Sequence, residues 1–275
     1  MESSKIKNFI ICILVVVNLF LAGLLSVDWV QTNRTRIQAE ETAYAILENY
    51  GIAMDGGTLP DNSALNGHSL RRDFQREQEL VSAVLGEVSV EDQGGNIMYY
   101  YGEKGQANFR GTGDFEILFH SNAVPVEQDT VETARNILKK MGMEAQFDAA
   151  GSEMTGNTYS TVVMTALYDD TAVFNCQIRF IFAADFLLMV EGTRILDVQE
   201  EDPTVTVMDG PTLLTRFLGI LDRSGYVCSQ VQNIRGVLQY APDPSGGRLM
   251  PVWEIKTDTN TFYVNASTGE EQPVT

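Results

Sequence analysis

The strongest hydrophobic signal in the chain is "FIICILVVVNLFLAGLLSV", residues 9–27, 19 residues without a charge. Wound as a helix at 1.5 Å per residue, it just spans a bilayer core of roughly 30 Å. Lys5 and Lys7 precede it and favour a cytoplasmic N-terminus, while Arg34 and Arg36 on the far side are offset by Asp28 and Glu40. The run exceeds a usual signal-peptide core and no small-x-small cleavage site follows it. In "LAGL", Leu21–Leu24, leucine stands where a lipid-bearing Cys would have to be. The expectation is a cytoplasmic tip (1–8) and a single-pass transmembrane anchor (9–28). Asn18, Ala22 and Ser26 fall at i, i+4 and i+8, so they share one side of that helix. Small residues permit close helix approach in lipid and a membrane Asn gains from a partner amide or carbonyl, which makes the stripe a candidate interface with another transmembrane helix. A lone Asn tolerated near mid-span is the alternative.

Beyond the anchor the pattern alternates between periods of 3.6 and 2. A helix is expected over about Gln31–Tyr50, with Ile37, Tyr44 and Leu47 on one stripe and Gly51 as its stop, then a loop over Gly56–Gly67 and a helix over Phe74–Leu85. Strands follow at Val88–Val90, Ile97–Tyr101, Ala107–Phe109 and Phe115–Phe119, with Gly-rich turns between them. A second block opens at Asp129-x-x-Glu132, a capping-box pattern; Val131, Ala134, Leu138 and Met141 form its stripe and Gly142 its stop. Its strands are Tyr159–Leu167, Val173–Phe182 and Phe186–Gly192. The third block starts at Asp209-Gly210-Pro211, turns Leu213, Leu214, Phe217, Leu218 and Leu221 inward, and ends its helix at Gly225. Strands Val227–Tyr240, Leu249–Thr257 and Thr261–Ala266 complete it. The fold class expected is α+β, helix-plus-antiparallel-sheet modules after a transmembrane helix, with modules at 29–122, 123–205 and 206–275. The recurrence is architectural and no register of identical residues accompanies it.

The last two strands make a well-specified hairpin. Trp253, Ile255 and Thr257 face one way, Phe262, Val264 and Ala266 lie opposite on the same face, and Asp258-Thr259-Asn260 is the turn. Gly269 supplies the positive φ of the next turn. Trp253, Ile255, Phe262, Val264 and Gly269 are therefore structural candidates, packing against the preceding helix. Asn265-Ala266-Ser267 matches a glycosylation sequon, a pattern common by chance.

Composition narrows the function classes. A net charge of −18 argues against nucleic acid, whose binding requires clustered Lys and Arg, and against adsorption of the folded part to anionic lipid. Acidic repulsion from anionic wall polymers is one reading of the charge, and a surface kept soluble by it is the plainer one. Of the three cysteines, Cys12 lies in the anchor; Cys176 sits on the strand face of Phe174, Ile178 and Phe180 and reads as a small buried hydrophobe, leaving a Cys176–Cys228 disulfide open.

Candidate chemistry is sparse. His68 is placed in a loop and His120 at a strand end, with no HExxH, G-x-S-x-G, Walker loop or G-x-G-x-x-G. Carboxylates at Asp169-Asp170, Glu200-Glu201-Asp202 and Glu270-Glu271 fall in expected turns, where solvated charge is the ordinary explanation. No catalytic residue, cofactor or metal site is expected, and the chain is read as a non-enzyme.

Both ends carry a resemblance. "SKIKNFIICILVVVNLFLAG" resembles the start of YycI-type regulatory proteins, with a Lys-containing tip and an anchor with an internal Asn-Leu-Phe, and "PVWEIKTDTNTFYVNASTGE" looks like the terminal hairpin of the same YycH/YycI group, itself related to PepSY-type modules. The resemblance implies a non-catalytic protein of the bacterial cell membrane, with its C-terminal part extracytoplasmic and its last module PepSY-like. Such a protein modulates a sensor histidine kinase of a cell-wall two-component system, through transmembrane contacts and a YycH-like partner protein. The other class in view is an extracytoplasmic PepSY-like binding module that inhibits a peptidase or captures a peptide or wall fragment.

Overall fold

A computed structural model describes residues 38–54, 59, 65–183, 185–243 and 246–273 of the 275-residue chain. The anchor, with Asn18, Ala22 and Ser26, lies outside the described residues. Among the described residues, no helix is long and apolar enough to cross a membrane.

Helices form where an apolar stripe coincides with caps. Helix α1 covers 38–49 and is followed by Gly51 at φ +74°. Helix α2 (Phe74–Leu85) opens on the Asp73 carboxylate, which accepts the amides of Gln75 and Arg76. Helix α3 (Thr130–Lys140) opens on Asp129, which accepts the Glu132 amide, and carries Lys139 and Lys140 in its last turn, where the helix dipole favours cations. Helix α4 (Gly210–Ser224) has Asp209 as cap, Pro211 in its first turn and Gly225 in the left-handed conformation at its end.

Among the described residues, fourteen strands make one mostly antiparallel sheet, confirming the α+β class. Its larger part has eight strands. Strands β3 (Val88–Asp92), β4 (Ile97–Gly102), β5 (Gly105–Arg110) and β6 (Asp114–Phe119) form one meander after α2. Strands β7 (Ala145–Thr155), β8 (Thr158–Tyr168), β9 (Thr171–Ala183) and β10 (Phe186–Thr193) form a second after α3. The last strands of the two meanders pair antiparallel, Val190 opposite Ile117, so two copies of one topology meet edge to edge. Val81, Leu85, Ile137 and Leu138 from α2 and α3 pack on one face of this sheet against Phe109, Ile117 and Phe180. Gly192 sits at the seam with φ +154°, and a Cβ there would lie 2.2 Å from the Gln177 carbonyl oxygen, so no larger residue fits without moving the strand.

The smaller part pairs β2 (Gly67–Arg71) with β11 (Asp197–Asp202) on one side and β13 (Gly246–Thr257) on the other. Strand β12 (Gln230–Asp243) flanks β13, with the short β1 (Ala53–Met54) parallel to its start, and β14 (Thr261–Asn265) pairs with the last half of β13. α1 and α4 cover its buried face through Ala43, Leu47, Leu214 and Phe217. The two parts join at Leu238 beside Val173, and the Asn175 side chain completes the seam by accepting the Tyr240 amide at 2.8 Å and donating to its carbonyl at 2.7 Å.

The sheet has two lobes, each with its own apolar core. The described residues of 74–193 build the larger lobe, whereas those of 38–71 and 197–273 together build the smaller one. The reason is long-range: the apolar stripe of α1 packs with α4 and the β12–β13 sheet, and β2 finds its partners in β11 and β13. Two local expectations change. His68 is not in a loop but lies buried in β2, edge-to-face with Tyr168 at 4.7 Å. Glu200-Glu201-Asp202 is not a turn but part of the edge strand β11, where exposed charge discourages further strand pairing. Strand β7 is another edge; its polar sequence and broken register hide it from a period-2 reading.

Cys176 and Cys228 are free and buried in different cores. Burial pushes both thiols up, Cys176 far more. In the native protein, iodoacetamide should therefore leave both unmodified by mass spectrometry, with complete labelling in guanidinium. Modification of Cys176 at a rate near that of a free thiol would contradict this packing.

Candidate functional site

The chain passes between the lobes twice, from β2 to α2 and from β10 to β11, and each crossing carries an arginine. Arg72 and Arg194 both reach Glu77, in the first turn of α2, whose side chain is 0% exposed. Arg72 donates Nε to one Glu77 oxygen at 2.9 Å and a terminal nitrogen to the other at 2.6 Å. Arg194 donates at 2.7 Å and the Tyr100 hydroxyl at 2.7 Å, so the carboxylate accepts four hydrogen bonds, two on each oxygen. Burial and the adjoining Glu77 push the Tyr100 hydroxyl well up, keeping it a donor. Asp197 tightens the same junction, accepting the Asp73 amide at 3.1 Å and pairing with Arg76 at 3.2 Å. One buried carboxylate thus clasps both crossings, and with them the relative placement of the lobes.

Beside the clasp lies a cleft of about 350 Å³. Its walls come from α2 (Arg76, Leu80), the end of α3 with its following loop (141–144), the end of β8 with its turn (166–169) and the crossing 194–197. Apolar groups line one part, including Met143, Leu167 and Ile195; charged groups include Arg76, Arg194, Glu144, Asp169 and Asp197. Arg194 is 4% exposed and its Nε has no hydrogen-bond partner. Tyr168 is raised by burial, then by Asp169 and Glu201. The cleft can orient a polar ligand, and no nucleophile in it stands beside a base. Among the described residues, no group of three or more His, Cys, Asp or Glu could hold a metal ion.

The hairpin residues gather elsewhere. Trp253 pairs with Val264 and Ile255 with Phe262, all four buried, and Phe262 meets Phe217 of α4 edge-on at 5.2 Å. The Asp258 carboxylate in the turn accepts from the Ser229 amide and hydroxyl, tying the hairpin to the start of β12. Gly269 has φ +74° and packs against Arg216. The Asn265 side chain accepts the Ser267 and Thr268 amides, a turn role for the sequon residue. Of the carboxylate runs, Asp169 and Asp170 do form a tight turn, both with positive φ.

The clasp was missed in the sequence, although one signal was there. Glu77 continues the spacing of Val81, Val84 and Leu85 (i+4, i+7, i+8), which places a carboxylate on the buried stripe of its helix. Nothing local names Arg194, 117 residues away, as its partner.

No family model matches the chain, and no curated protein matches it. Among solved structures, it is similar to an uncharacterized protein from Eubacterium rectale ATCC 33656, at 11% identity over 77% of this chain and 85% of that chain, with a TM-score of 0.42.

Proposed function

We propose that this chain is a non-catalytic, membrane-anchored regulator of a sensor histidine kinase, of the YycI type. It is held in the bacterial cell membrane by one helix, with the N-terminus cytoplasmic and the α+β body outside. The observation that carries the reading is the Lys-flanked apolar run 9–27 with Asn18, Ala22 and Ser26 along one side. The layout of α4 followed by antiparallel β12, β13 and β14 supports treating the C-terminal unit as PepSY-like. In this reading the body meets a YycH-like partner protein while the anchor meets the kinase.

The test changes the stripe and reads the kinase. Asn18→Leu removes an interhelical hydrogen bond worth about 0.6 and up to roughly 2 kcal/mol, and Ala22→Leu holds two backbones apart. The double variant should insert normally, since both replacements are more apolar, yet co-purify less kinase and change phosphorylation of its response regulator. Leu21→Ala, off the stripe, should do less. Wild-type behaviour of the double variant would reduce the anchor to a tether.

A second reading, an extracytoplasmic module that captures a peptide or wall fragment or inhibits a peptidase, is favoured by the cleft beside Arg194.

A further inference from the structure

We infer that the cleft between α2, the end of α3 and the crossing 194–197 binds the C-terminus of a peptide, with the terminal carboxylate on Arg194 and an aliphatic last side chain against the apolar wall. This rests on the peptide-capture reading and gives it a site and a ligand class.

Charge and hydrogen bonding carry the inference. Arg72 and Arg194 are both buried, and Glu77 is the one fully buried carboxylate between them. Asp197 stands 4.0 Å from Arg194, beyond hydrogen-bond range, and already serves Arg76 and the Asp73 amide. Arg194 therefore spends one terminal nitrogen on Glu77 while its Nε is left without an acceptor. An unmet donor on a buried guanidinium costs free energy, and a planar two-oxygen anion is the group its geometry matches.

The walls define the rest of the ligand. Leu80, Met143, Leu167 and Ile195 give an aliphatic surface beside Arg194, and about 350 Å³ is at the small end of ligand pockets, room for a terminal residue and part of its neighbour. Glu144 and Asp169 also line the cleft; they oppose a ligand with several carboxylates and accept the N–H groups of a peptide chain. A phosphate or a polyanionic polymer meets those same carboxylates without N–H groups to offer them.

The experiment uses the full chain in detergent micelles with methyl-labelled Ile, Leu and Met, so that Leu80, Met143, Leu167 and Ile195 report on the cleft. The probes are N-acetyl-Val-Leu with a free C-terminal carboxylate and its C-terminal amide, which differ only in the anion. The free acid should shift the cleft methyls saturably, and the amide should bind at least tenfold more weakly. Arg194→Lys keeps the charge and removes the Nε donor; it should weaken the acid about tenfold and leave the amide unchanged. If that variant does not fold, the acid–amide comparison in the wild-type chain decides alone. Equal binding of the two probes would overturn the inference, because the cleft would then hold only apolar groups and an internal water would serve Nε. Acid-dependent shifts confined to another surface would overturn the site while leaving peptide capture standing. No shift with either probe would overturn the site and remove the support that capture draws from it.

Discussion

Glu77→Ala lowers the stability of the folded body by about 3–5 kcal/mol, the cost of stranding buried charge after one partner is removed. Two guanidiniums lose their shared carboxylate at once, and both are poorly hydrated, their side chains being 7% and 4% exposed. Tyr100 loses its acceptor in the same step. For a body of this size the midpoint of a thermal melt should fall by about 10 °C. Glu77→Gln keeps the shape but not the charge and should be nearly as costly. Replacing Arg72, Glu77 and Arg194 together by methionine should recover most of the loss, because a buried ion pair repays its desolvation poorly compared with apolar packing. The melt of the single variant settles the matter: a loss below about 1 kcal/mol, the scale of an exposed pair, would show that water reaches the clasp.

Trp253→Ala should cost about 3–5 kcal/mol by a different mechanism, a cavity in the smaller lobe. Its ring is wholly buried among α4, α1 and the β13–β14 hairpin. The indole N–H has no acceptor there. Trp253→Phe removes that orphan donor, whose burial costs about 1–3 kcal/mol, so its penalty should stay below about 2 kcal/mol. Hydrogen exchange separates the two sites: loss of Trp253 should first expose amides of β12–β14, and loss of Glu77 those of α2 and β4. A Trp253→Ala protein that melts like the wild type would show that the hairpin is not part of the core.

The sequence exposed the elements well wherever an apolar stripe coincided with a cap or a Gly-rich turn. Asp73, Asp129 and Asp209 each cap the helix that follows them, and Phe74–Leu85 carries the bounds its pattern predicts. Facing was legible along β9, where Cys176, Ile178, Phe180 and Phe182 are buried while Gln177 and Arg179 are exposed. Edge strands were not legible. β7 buries little, and Glu200 and Glu201 of β11 are exposed, so selection for alternation is weak there and charge takes its place. The candidate cleft was invisible, because its walls come from four segments that meet only after both sheets have formed.

What the sequence determined by itself is therefore local: the helices and their stops, the inward face of the central strands, the terminal hairpin and the apolar run before them. These depend on residues within a few positions of one another, through caps, turns and periodicity. The tertiary structure alone decided the long-range strand pairings, such as β2 with β11 and β13, that α1 completes the C-terminal lobe, and that Arg194 joins Arg72 on Glu77. Those outcomes turn on covering exposed strand edges and satisfying buried charge across gaps of more than a hundred residues, and nearby sequence carries no record of such partners.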